Sequence, residues 1–366
     1  MDKSKPFPRI AIVGVGVIGG SLGLAIKKRY PSSHIIGFDR KDVLRQALKR
    51  GAIDRASNDL RDAVSGADLI FLATPVSAIL TMLPRIAKVA PITSLVTDVG
   101  SVKRIILKAA SHYFPSGNFI GGHPMAGVEL SGVEAAHPLL FENAVYVLSP
   151  MKSSSRRSVR RLAGFLEALG SRVVLLDPKT HDEVASAVSH LPQLTAVALT
   201  NVAGREHRSS RNHLGLAAGG FRDLTRIASS RPEIWKDILV YNSDEIDKTL
   251  ALLVRELECY RRFLRKKGSP LAARFHSARR IRHNIPKSMK GFLHPLAELY
   301  VFVKDRPGMM AKMTAVLAKS EINIKDIELV KVREGRGGTF RLAFESKEIA
   351  ARAGAILKRV GFEIGD

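Results

Sequence analysis

The sequence predicts an α/β protein in which a doubly wound parallel sheet precedes an all-α region and a small βαββαβ domain. Up to residue 177, short β-branched runs alternate with segments of helical length, a pattern typical of parallel strands joined by crossover helices. Between residues 178 and 267 the apolar residues recur at intervals of three and four, which favours helices. Strand-like alternation returns near residue 298, so a second, smaller sheet is expected there.

The predicted strands of the first region are short runs rich in β-branched residues. They are Arg9–Val13, Ile35–Phe38, Leu69–Ala73, Leu95–Thr97, Ala144–Leu148 and Val173–Leu176. Two long helices are expected next, at Thr180–Gly204 and Pro232–Lys267, and Pro192 should kink the first because proline lacks a backbone donor. The stretch Gly268–Pro295 is rich in Arg, Lys, Ser and Pro, and we interpret it as a linker or an exposed arm.

The last region has the order βαββαβ, which is the ferredoxin-like plan. Its predicted elements are strands at Glu298–Val303, Ile324–Val332, Thr339–Phe344 and Phe362–Ile364, and helices at Pro307–Lys319 and Ser346–Val360. We therefore expect a sheet domain at residues 1–177, a helical domain with a basic linker at 178–290, and the small domain at 296–366.

Length and composition exclude several classes of protein. A chain of 366 residues exceeds one domain of roughly 150 residues, so it is neither a peptide hormone nor a single small module. Its 58 Lys and Arg against 34 Asp and Glu give a formal charge of +24, which favours anionic ligands or partners. Cys259 is the only cysteine, so no intramolecular disulfide and no cysteine-based zinc site can form. No metal is among the predicted ligands.

An uncharged stretch at Ile10–Ile26 could be mistaken for a signal peptide or a membrane anchor. It is shorter than the ~20 apolar residues that span a bilayer, and glycines interrupt it at a meaningful spacing. We therefore expect a cytoplasmic protein that does not bind membranes.

These glycines form a dinucleotide-binding signature. Gly14, Gly16 and Gly19 make a G-x-G-x-x-G pattern, with Ile18 inside it, between a predicted strand and a predicted helix. The first glycine permits a tight turn, the second lets a pyrophosphate approach the backbone, and the third lets the helix pack on the strand. The alternative, a glycine-rich turn without a ligand, does not explain the carboxylate that follows at the expected distance.

That carboxylate is Asp39, which lies 20 residues beyond Gly19 at the end of the second predicted strand. A carboxylate there hydrogen-bonds a ribose 2′-hydroxyl and repels a 2′-phosphate, so NAD is expected over NADP. Arg40 weakens this preference because an adjacent Arg can accommodate the phosphate. Thr74 and Pro75 follow the third predicted strand and should lie near the cofactor, although an ordinary turn explains them equally well.

A candidate acid or base is His123, which lies among glycines and a proline at the end of a predicted strand. Ligands of doubly wound sheets bind beyond the carboxyl ends of the strands, and an imidazole titrates near neutral pH. Ser101, after another strand, could fix the tautomer of a neighbouring histidine or cap a helix. His190 precedes Pro192, and Arg222 follows two glycines and suits carboxylate recognition, although either could lie on the surface.

Together these motifs resemble those of the prephenate dehydrogenases, in order and over about Arg9 to Tyr260. The motifs are the glycine fingerprint ending at Ser21, Asp98–Lys103, Gly122–Gly127, Ser189–Pro192 and Gly219–Asp223. The C-terminal region, with Asp305–Gly308 and Glu321–Ile324, resembles an ACT domain, a regulatory module that binds small molecules.

The resemblance implies NAD-dependent oxidative decarboxylation of prephenate to 4-hydroxyphenylpyruvate in tyrosine biosynthesis, by a homodimer with a Rossmann domain, a helical dimerisation domain and an ACT domain. It implies that His123 accepts the proton of the ring hydroxyl while hydride leaves the same carbon. Ser101 would orient His123, His190 would bind substrate near the nicotinamide, and Arg222 would hold the ring carboxylate. Tyrosine is the effector expected from the pathway, at Asp305, Gly308 and Asn323, although an ACT domain can also serve dimerisation alone.

Two further positions concern substrate specificity and access to the site. Gln193 stands where prephenate-specific members of the family often have His, so arogenate or dual specificity is the alternative function. Glu129 matches a position near the site entrance, although it could equally be a solvated helix residue. A rival of another class, a non-catalytic amino-acid sensor, would bind tyrosine without forming NADH.

The segment Arg255–Lys290 holds twelve Lys or Arg and two Glu. Such a run could contact nucleic acid, but few aromatic residues accompany it and no nucleic-acid motif is recognised. We interpret it as a solvated linker or an arm on an acidic surface of another subunit.

Overall fold

The structure is a computed structural model, and it describes residues 7–126, 131–205, 216–265, 271–284, 296–333 and 337–365. The chain forms two compact units, Met1–Leu271 and Ala272–Asp366. The predicted α/β architecture is confirmed in the first unit, where helices cover a large sheet.

The sheet of the first unit has eight strands in the order β3-β2-β1-β4-β5-β6-β7-β8. They are β1 Arg9–Val13, β2 His34–Phe38, β3 Arg55–Ser57, β4 Leu69–Leu72, β5 Leu95–Asp98, β6 Phe119–Pro124, β7 Val145–Pro150 and β8 Arg172–Leu175. In the order 3-2-1-4 the strand order reverses between β1 and β4, and ligands of such folds bind at this point, beyond the carboxyl ends of the strands.

One strand pair departs from the predicted parallel arrangement. Strands β6 and β7 are antiparallel, whereas all other neighbouring pairs of this sheet are parallel. The connection between β6 and β7 explains this difference. Its described residues contain a short 3₁₀ turn at Val133–Ala135 and no α-helix. Strands joined without a crossover helix pair in antiparallel fashion. The sequence patterns missed β3, and they gave no bounds for β6 although His123 was expected at the end of a strand.

Six helices of the first region pack on both faces of the sheet. They are α1 Val17–Arg29, α2 Lys41–Lys49, α3 Leu60–Val64, α4 Val76–Val89, α5 Arg104–Tyr113 and α6 Arg156–Ala168. Leu22 and Phe165 belong to the apolar core on one face, and Ile79 and Leu107 to the core on the other. The central strand β4 is buried on both faces, which is why it reads as a continuous apolar run.

Helices follow β8, as the sequence predicts. They are α7 Pro178–Ala185, α8 Leu191–Arg205, α9 Gly219–Thr225, α10 Pro232–Tyr241 and α11 Ser243–Arg265. The single helix predicted at Thr180–Gly204 is wrong in one respect, since a π-helical turn at Ser186–His190 separates α7 from α8. Pro192, the second residue of α8, has no N–H to continue the normal hydrogen-bond ladder, which explains the interruption.

The second unit begins with helix α12 at Leu271–Asn284, inside the segment interpreted as a linker. Arg and Ala favour a helix even where no apolar periodicity marks one, and the interpretation of the segment as a linker or an exposed arm stays a prediction. Next come β9 Ala297–Val303, α13 Met309–Lys319, β10 Asp326–Arg333, β11 Gly337–Phe344, α14 Lys347–Arg359 and β12 Glu363–Gly365. The antiparallel sheet has the order β10-β11-β9-β12, so the ferredoxin-like prediction is confirmed.

Within the described residues, no helix is both long and apolar enough to cross a membrane. The uncharged stretch Ile10–Ile26 forms β1, the following turn and most of α1.

Candidate active site

A cavity of about 460 Å³ lies beyond the carboxyl ends of β1, β4, β5 and β6. Helix α10 from the helical region forms another wall, so both regions of the first unit contribute to it. The lining residues are Gly16, Val17, Ile18, Ala73, Thr74, Pro75, Val76, Val99, Gly100, Ser101, His123, Pro124, Ala126, Ser131, Gly132, Glu233, Ile234, Asp237 and Ile238.

The glycine turn at one end of the cavity has the shape that a pyrophosphate requires. Gly14 has a φ of +93°, which favours glycine, and a Cβ on Gly19 would lie 1.9 Å from the carbonyl oxygen of Gly14. A Cβ on Gly16 would meet no atom within 4 Å. Gly16 thus faces open space at the N-terminus of α1, where free N–H groups attract an anion.

Asp39 and Thr74 offer polar groups beside this turn. One carboxylate oxygen of Asp39 accepts a hydrogen bond from the backbone N–H of Val15 at 2.7 Å, and the other accepts from the N–H of Arg40 at 2.7 Å. The Arg40 side chain is exposed and lies 3.8 Å from Asp42. Thr74 lines the cavity, and its buried hydroxyl has no hydrogen-bond partner among the described residues. A buried hydroxyl of this kind can hydrogen-bond a polar ligand.

His123 lines the cavity from the C-terminal end of strand β6 and is 8% exposed. Its Nδ1 lies 2.8 Å from Nε2 of His181, which leaves Nε2 of His123 for a ligand. Burial, together with the charges of His181, Lys103 and His190, holds the pKa of His123 well below its usual 6.5. His123 is therefore neutral at pH 7.

His123 has a hydrogen-bond partner that the sequence did not indicate. Ser101 lines the same cavity, but the side chain that orients the His123 ring through Nδ1 is His181. The reason is positional, because the first turns of α7 bring His181 against the end of β6. The expected role of Ser101 in orienting His123 stays a prediction.

His181 is in turn held by Asp182, whose carboxylate lies 2.7 Å from its Nδ1. Asp182 is fully buried and also accepts hydrogen bonds from the backbone N–H groups of Lys103 and Arg104, at 2.7 and 3.0 Å. Nε of Arg104 donates to it at 3.2 Å. Helices α5 and α7 are thereby joined through one carboxylate.

A second buried carboxylate supports the same region. Asp98 at the end of β5 pairs with the ammonium of Lys103, and both side chains are fully buried. The carboxylate also accepts from the N–H of Gly100 at 2.8 Å and of Gly122 at 3.1 Å. Burial lowers the pKa of Lys103, an effect that Asp98 opposes. The pair fixes the loop that carries Ser101 beside the strand that carries His123.

His190, in the π-helical turn, is almost completely buried against Trp235. The amide of Asn242 donates to the backbone carbonyl of Asp182 at 2.9 Å and accepts from Arg104 at 3.1 Å, so its orientation is determined. It must therefore donate to Nδ1 of His190, 3.2 Å away. The proton of neutral His190 then sits on Nε2, which has no partner among the described residues.

Several other predicted site residues lie elsewhere. Arg222 is exposed on α9, a helix without buried residues, and is absent from the cavity wall. Gln193 is buried, but its amide donates to the carbonyl of Ile227 at 3.0 Å instead of facing the cavity. Their roles in substrate binding stay predictions, and Glu129 lies outside the described residues.

The candidate effector residues belong to the second unit. Asp305 is exposed after β9, and Gly308 caps α13 with a φ of +83°. Asn323 is exposed just before β10.

Sequence reasoning missed His181, Asp182 and Asn242. An adjacent His-Asp pair at the start of the first helix after the sheet is a detectable signal, because that helix begins at the sheet edge. Lys103 and Asp98 lay within a segment already singled out, but nothing in the pattern shows that the two side chains pair.

Comparison with known families gives matches along most of the chain. "Prephenate dehydrogenase, nucleotide-binding domain" matches residues 22–175, "Prephenate dehydrogenase, dimerization domain" matches 177–276, and "ACT domain" matches 297–362. These three matches follow the order of the sheet region, the helical region and the second sheet.

Among curated relatives, the prephenate dehydrogenase of Bacillus subtilis (strain 168) is 38% identical over 351 residues, which cover 94% of each chain. The cyclohexadienyl dehydrogenase of Zymomonas mobilis is 32% identical over 256 residues, which cover 69% of this chain and 87% of that protein.

Two solved structures are also similar. The prephenate dehydrogenase from Aquifex aeolicus, in complex with hydroxyphenyl propionate and NAD+, has a TM-score of 0.71 and 28% identity over 77% of this chain and 99% of that one. The arogenate dehydrogenase from Synechocystis has a TM-score of 0.66 and 31% identity, over 75% of this chain and 99% of that one.

Proposed function

Because the chain belongs to the prephenate dehydrogenase family and carries an ACT domain, we propose that it catalyses the NAD-dependent oxidative decarboxylation of prephenate to 4-hydroxyphenylpyruvate. The observation that carries this proposal is the single cavity in which the glycine turn and His123 face the same space. A dinucleotide bound at the turn and a substrate beside His123 would therefore meet.

The residues at the turn fit NAD. Gly16 would leave open space for the pyrophosphate, the Asp39 carboxylate would bind the ribose, and the unpartnered hydroxyl of Thr74 would supply a polar contact. Ile18 and Pro75 line the cavity, and Gly14 and Gly19 form the turn beside it. When bound, NAD supplies the hydride acceptor. Asp39 disfavours a 2′-phosphate, and the exposed Arg40 is paired with Asp42.

His123 is the base of the proposed reaction. As hydride leaves C4 of the prephenate ring, the O–H bond at the same carbon breaks and its proton moves to Nε2 of His123. The C–C bond to the ring carboxylate then breaks, carbon dioxide leaves, and the electron pair enters the ring. The aromatic ring oxygen takes the proton back from His123, so no proton is consumed overall.

In the proposed reaction, Ser101 and His190 bind the substrate. The Ser101 hydroxyl, in the cavity wall, hydrogen-bonds the ring hydroxyl, and Nε2 of His190 donates to an anionic group of the substrate. A neutral donor suits this role, since burial lowers the pKa of His190 to about 4. The excess positive charge of the chain helps to attract a dianionic substrate.

We assign residues 1–177 to cofactor binding, 178–290 to completion of the site and to dimerisation, and 296–366 to regulation. Exposed apolar side chains on the helical region, including Val202, Leu252 and Leu257, support a homodimer. Tyrosine is proposed as the feedback effector, at Asp305, Gly308 and Asn323.

Arogenate is the second candidate substrate. It replaces the side-chain keto group of prephenate with an amino group, and Gln193 is a neutral residue where histidine would favour the keto acid. The similarity to an arogenate dehydrogenase at 31% identity supports this alternative. The variant Gln193→His tests it by the ratio of the two kcat/KM values.

The deciding experiment measures NADH absorbance with the purified protein. Prephenate and arogenate are supplied in parallel, each with NAD or NADP and with or without tyrosine. We expect turnover of prephenate with NAD that tyrosine suppresses. Activity on arogenate alone would replace the substrate, and a folded protein inactive on both would refute the proposed function.

A further inference from the structure

Behind the proposed base, three buried side chains form a line that ends at a carboxylate. Nδ1 of His123 lies 2.8 Å from Nε2 of His181, and Nδ1 of His181 lies 2.7 Å from the Asp182 carboxylate. His123 is 8% exposed, His181 2% and Asp182 fully buried, so the line leads from the cavity into the interior.

We propose that His181 and Asp182 are positioning residues that fix the tautomer of His123 and stabilise its charge when it accepts the substrate proton. This inference rests on the proposed function for the identity of the proton donor. The arrangement of protons in the resting protein does not depend on it.

The tautomers follow from Asp182. Backbone and side-chain N–H groups of Lys103 and Arg104 already donate to this carboxylate, which favours its ionised form. Burial raises the pKa of Asp182, but the hydrogen bonds from His181, Arg104 and Lys103 outweigh it, and the pKa lies below its ordinary value.

An ionised Asp182 can only accept, so His181 must donate through Nδ1. In neutral His181 the other nitrogen, Nε2, then bears no proton and accepts a hydrogen bond. His123 must therefore donate through its own Nδ1. The nitrogen left for the cavity, Nε2 of His123, is the bare one, and this is the form that can take a proton from a hydroxyl group.

The contacts among His123, His181 and Asp182 also explain how a buried histidine can accept a proton. A buried imidazole is a weak base because burial disfavours its charged form. With both imidazoles neutral, the three side chains carry the one negative charge of Asp182, which Arg104 partly balances from 3.2 Å. When a proton enters at Nε2 of His123, the Asp182 carboxylate offsets the positive charge that the imidazoles gain.

The proton can shift along the line without any change in composition. A new N–H bond forms at Nε2 of His123, and the Nδ1–H of His123 can pass to Nε2 of His181, whose Nδ1–H stays bonded to Asp182. The shift reverses when the proton returns to the product oxygen. No oxidant, water or further acid takes part.

Other charged groups around the line bear on its titration. Lys103 is neutralised by Asp98, and Arg104 lies 3.2 Å from Asp182, 2.7 Å from Asp244 and 3.7 Å from Glu245 of α11. His190 is neutral. The groups that face the line from β5, α5 and α11 therefore form pairs, and Asp182 is the charge in direct contact with His181.

His181 is the better residue to change, because Asp182 also holds the backbones of Lys103 and Arg104. The variant His181→Phe keeps a ring but cannot hydrogen-bond, and His181→Gln keeps a polar group. His112→Phe is the matched control, since His112 is exposed on α5 and packs against Tyr113.

The first readout is the ¹⁵N NMR spectrum of the histidine side chains in the full-length protein at neutral pH, assigned with His123→Asn and His181→Gln. We expect both His123 and His181 to carry the proton on Nδ1. A proton on Nε2 of His123 would overturn the proposal, whether or not the protein acts on prephenate.

The second readout is the pH dependence of kcat/KM for prephenate. In His181→Phe we expect kcat to fall roughly 10- to 100-fold, the usual effect of removing a hydrogen-bonded supporting residue. The acid limb should move to lower pH, because His123 loses its link to Asp182. KM should change little, and His112→Phe should match the wild type.

A lower kcat with an unmoved acid limb would show a merely structural role for His181 and refute the charge-stabilising part. If His181→Phe fails to fold, His181→Gln and the NMR spectrum of the wild type decide the question. Absence of prephenate turnover in the wild type would refute the proposed function alone, because the tautomers remain measurable.

Discussion

At the residue scale, the interior of this protein separates groups that carry charge from groups that do not. Asp98 and Lys103 form an ion pair, and Asp182 is held by N–H donors, whereas His123 and His190 are neutral at pH 7. His123 lines the cavity and His190 packs against Trp235, whereas the charged side chains of Asp98, Lys103 and Asp182 do not line the cavity. The same histidine type can therefore serve as an acceptor at one position and a donor at another.

The variant His123→Asn tests the acceptor. We expect kcat to fall roughly 10² to 10⁴-fold, the usual contribution of a general base, while the Kd for NAD stays unchanged. Steady-state kinetics and a fluorescence titration of NAD measure the two quantities. A nearly normal kcat would remove His123 from the mechanism.

The variant Lys103→Met tests the buried ion pair. Removing the ammonium leaves Asp98 buried without its partner, and we expect the free energy of unfolding to fall by about 3–5 kcal/mol. Urea unfolding measures it. As a control, Arg55→Met breaks the exposed pair with Asp62 and should change the unfolding midpoint little. Equal effects of the two variants would contradict the structure.

The buried His190 should also make stability depend on pH. Its pKa is about 4 in the folded protein against about 6.5 when unfolded, so between these values the unfolded chain binds more protons. Stability should therefore fall as the pH drops from about 7 towards 4, by about 3 kcal/mol for this residue. Urea unfolding across this range should show a weaker pH dependence in His190→Gln than in wild type. Identical slopes would contradict burial of a neutral His190.

At the scale of elements, the sequence predicts best those whose own residues decide them. Strands such as β1 and β4 are buried on both faces and form apolar runs, so their positions were predictable. The π-helical turn at Ser186–His190 was not predictable. Helix propensities indicate that a segment is helical, but they do not indicate where a π-helical turn inserts an extra residue into the helix. The reversed direction of β7 depends on the connection before it, which local patterns do not reveal.

The glycine turn offers a test at this scale. Since a Cβ on Gly16 meets nothing within 4 Å, Gly16→Ala should fold normally but obstruct the pyrophosphate, raising the Kd for NAD about tenfold or more. Gly164→Ala is the matched control, because its Cβ also meets nothing and it lies within α6. That control should leave the Kd unchanged and raise stability by about 0.5–1 kcal/mol. Unchanged NAD binding in Gly16→Ala would place the cofactor elsewhere.

At the scale of the whole molecule, motifs identified several residues of the site but few of their contacts. Ser101 and His123 come from separate strands and line one cavity, as their positions at strand ends suggested. The contact between His123 and His181 joins residues 58 positions apart, and only the packing of α7 against β6 creates it. Gln193 shows the converse, since a residue in a family motif here bonds to a backbone carbonyl.

The proposed regulation by tyrosine also belongs to the scale of the whole molecule, since it requires coupling between the proposed effector site and the active site. If tyrosine weakens prephenate binding by some factor, prephenate must weaken tyrosine binding by the same factor, typically about 5- to 150-fold. Asn323→Ala should raise the tyrosine concentration needed for half-inhibition without changing kcat in its absence. Lys319→Ala, an exposed change at the end of α13, is the control. Calorimetry of tyrosine binding with and without prephenate measures this factor. A factor of one, with inhibition still present, would mean that tyrosine acts on turnover and not on binding.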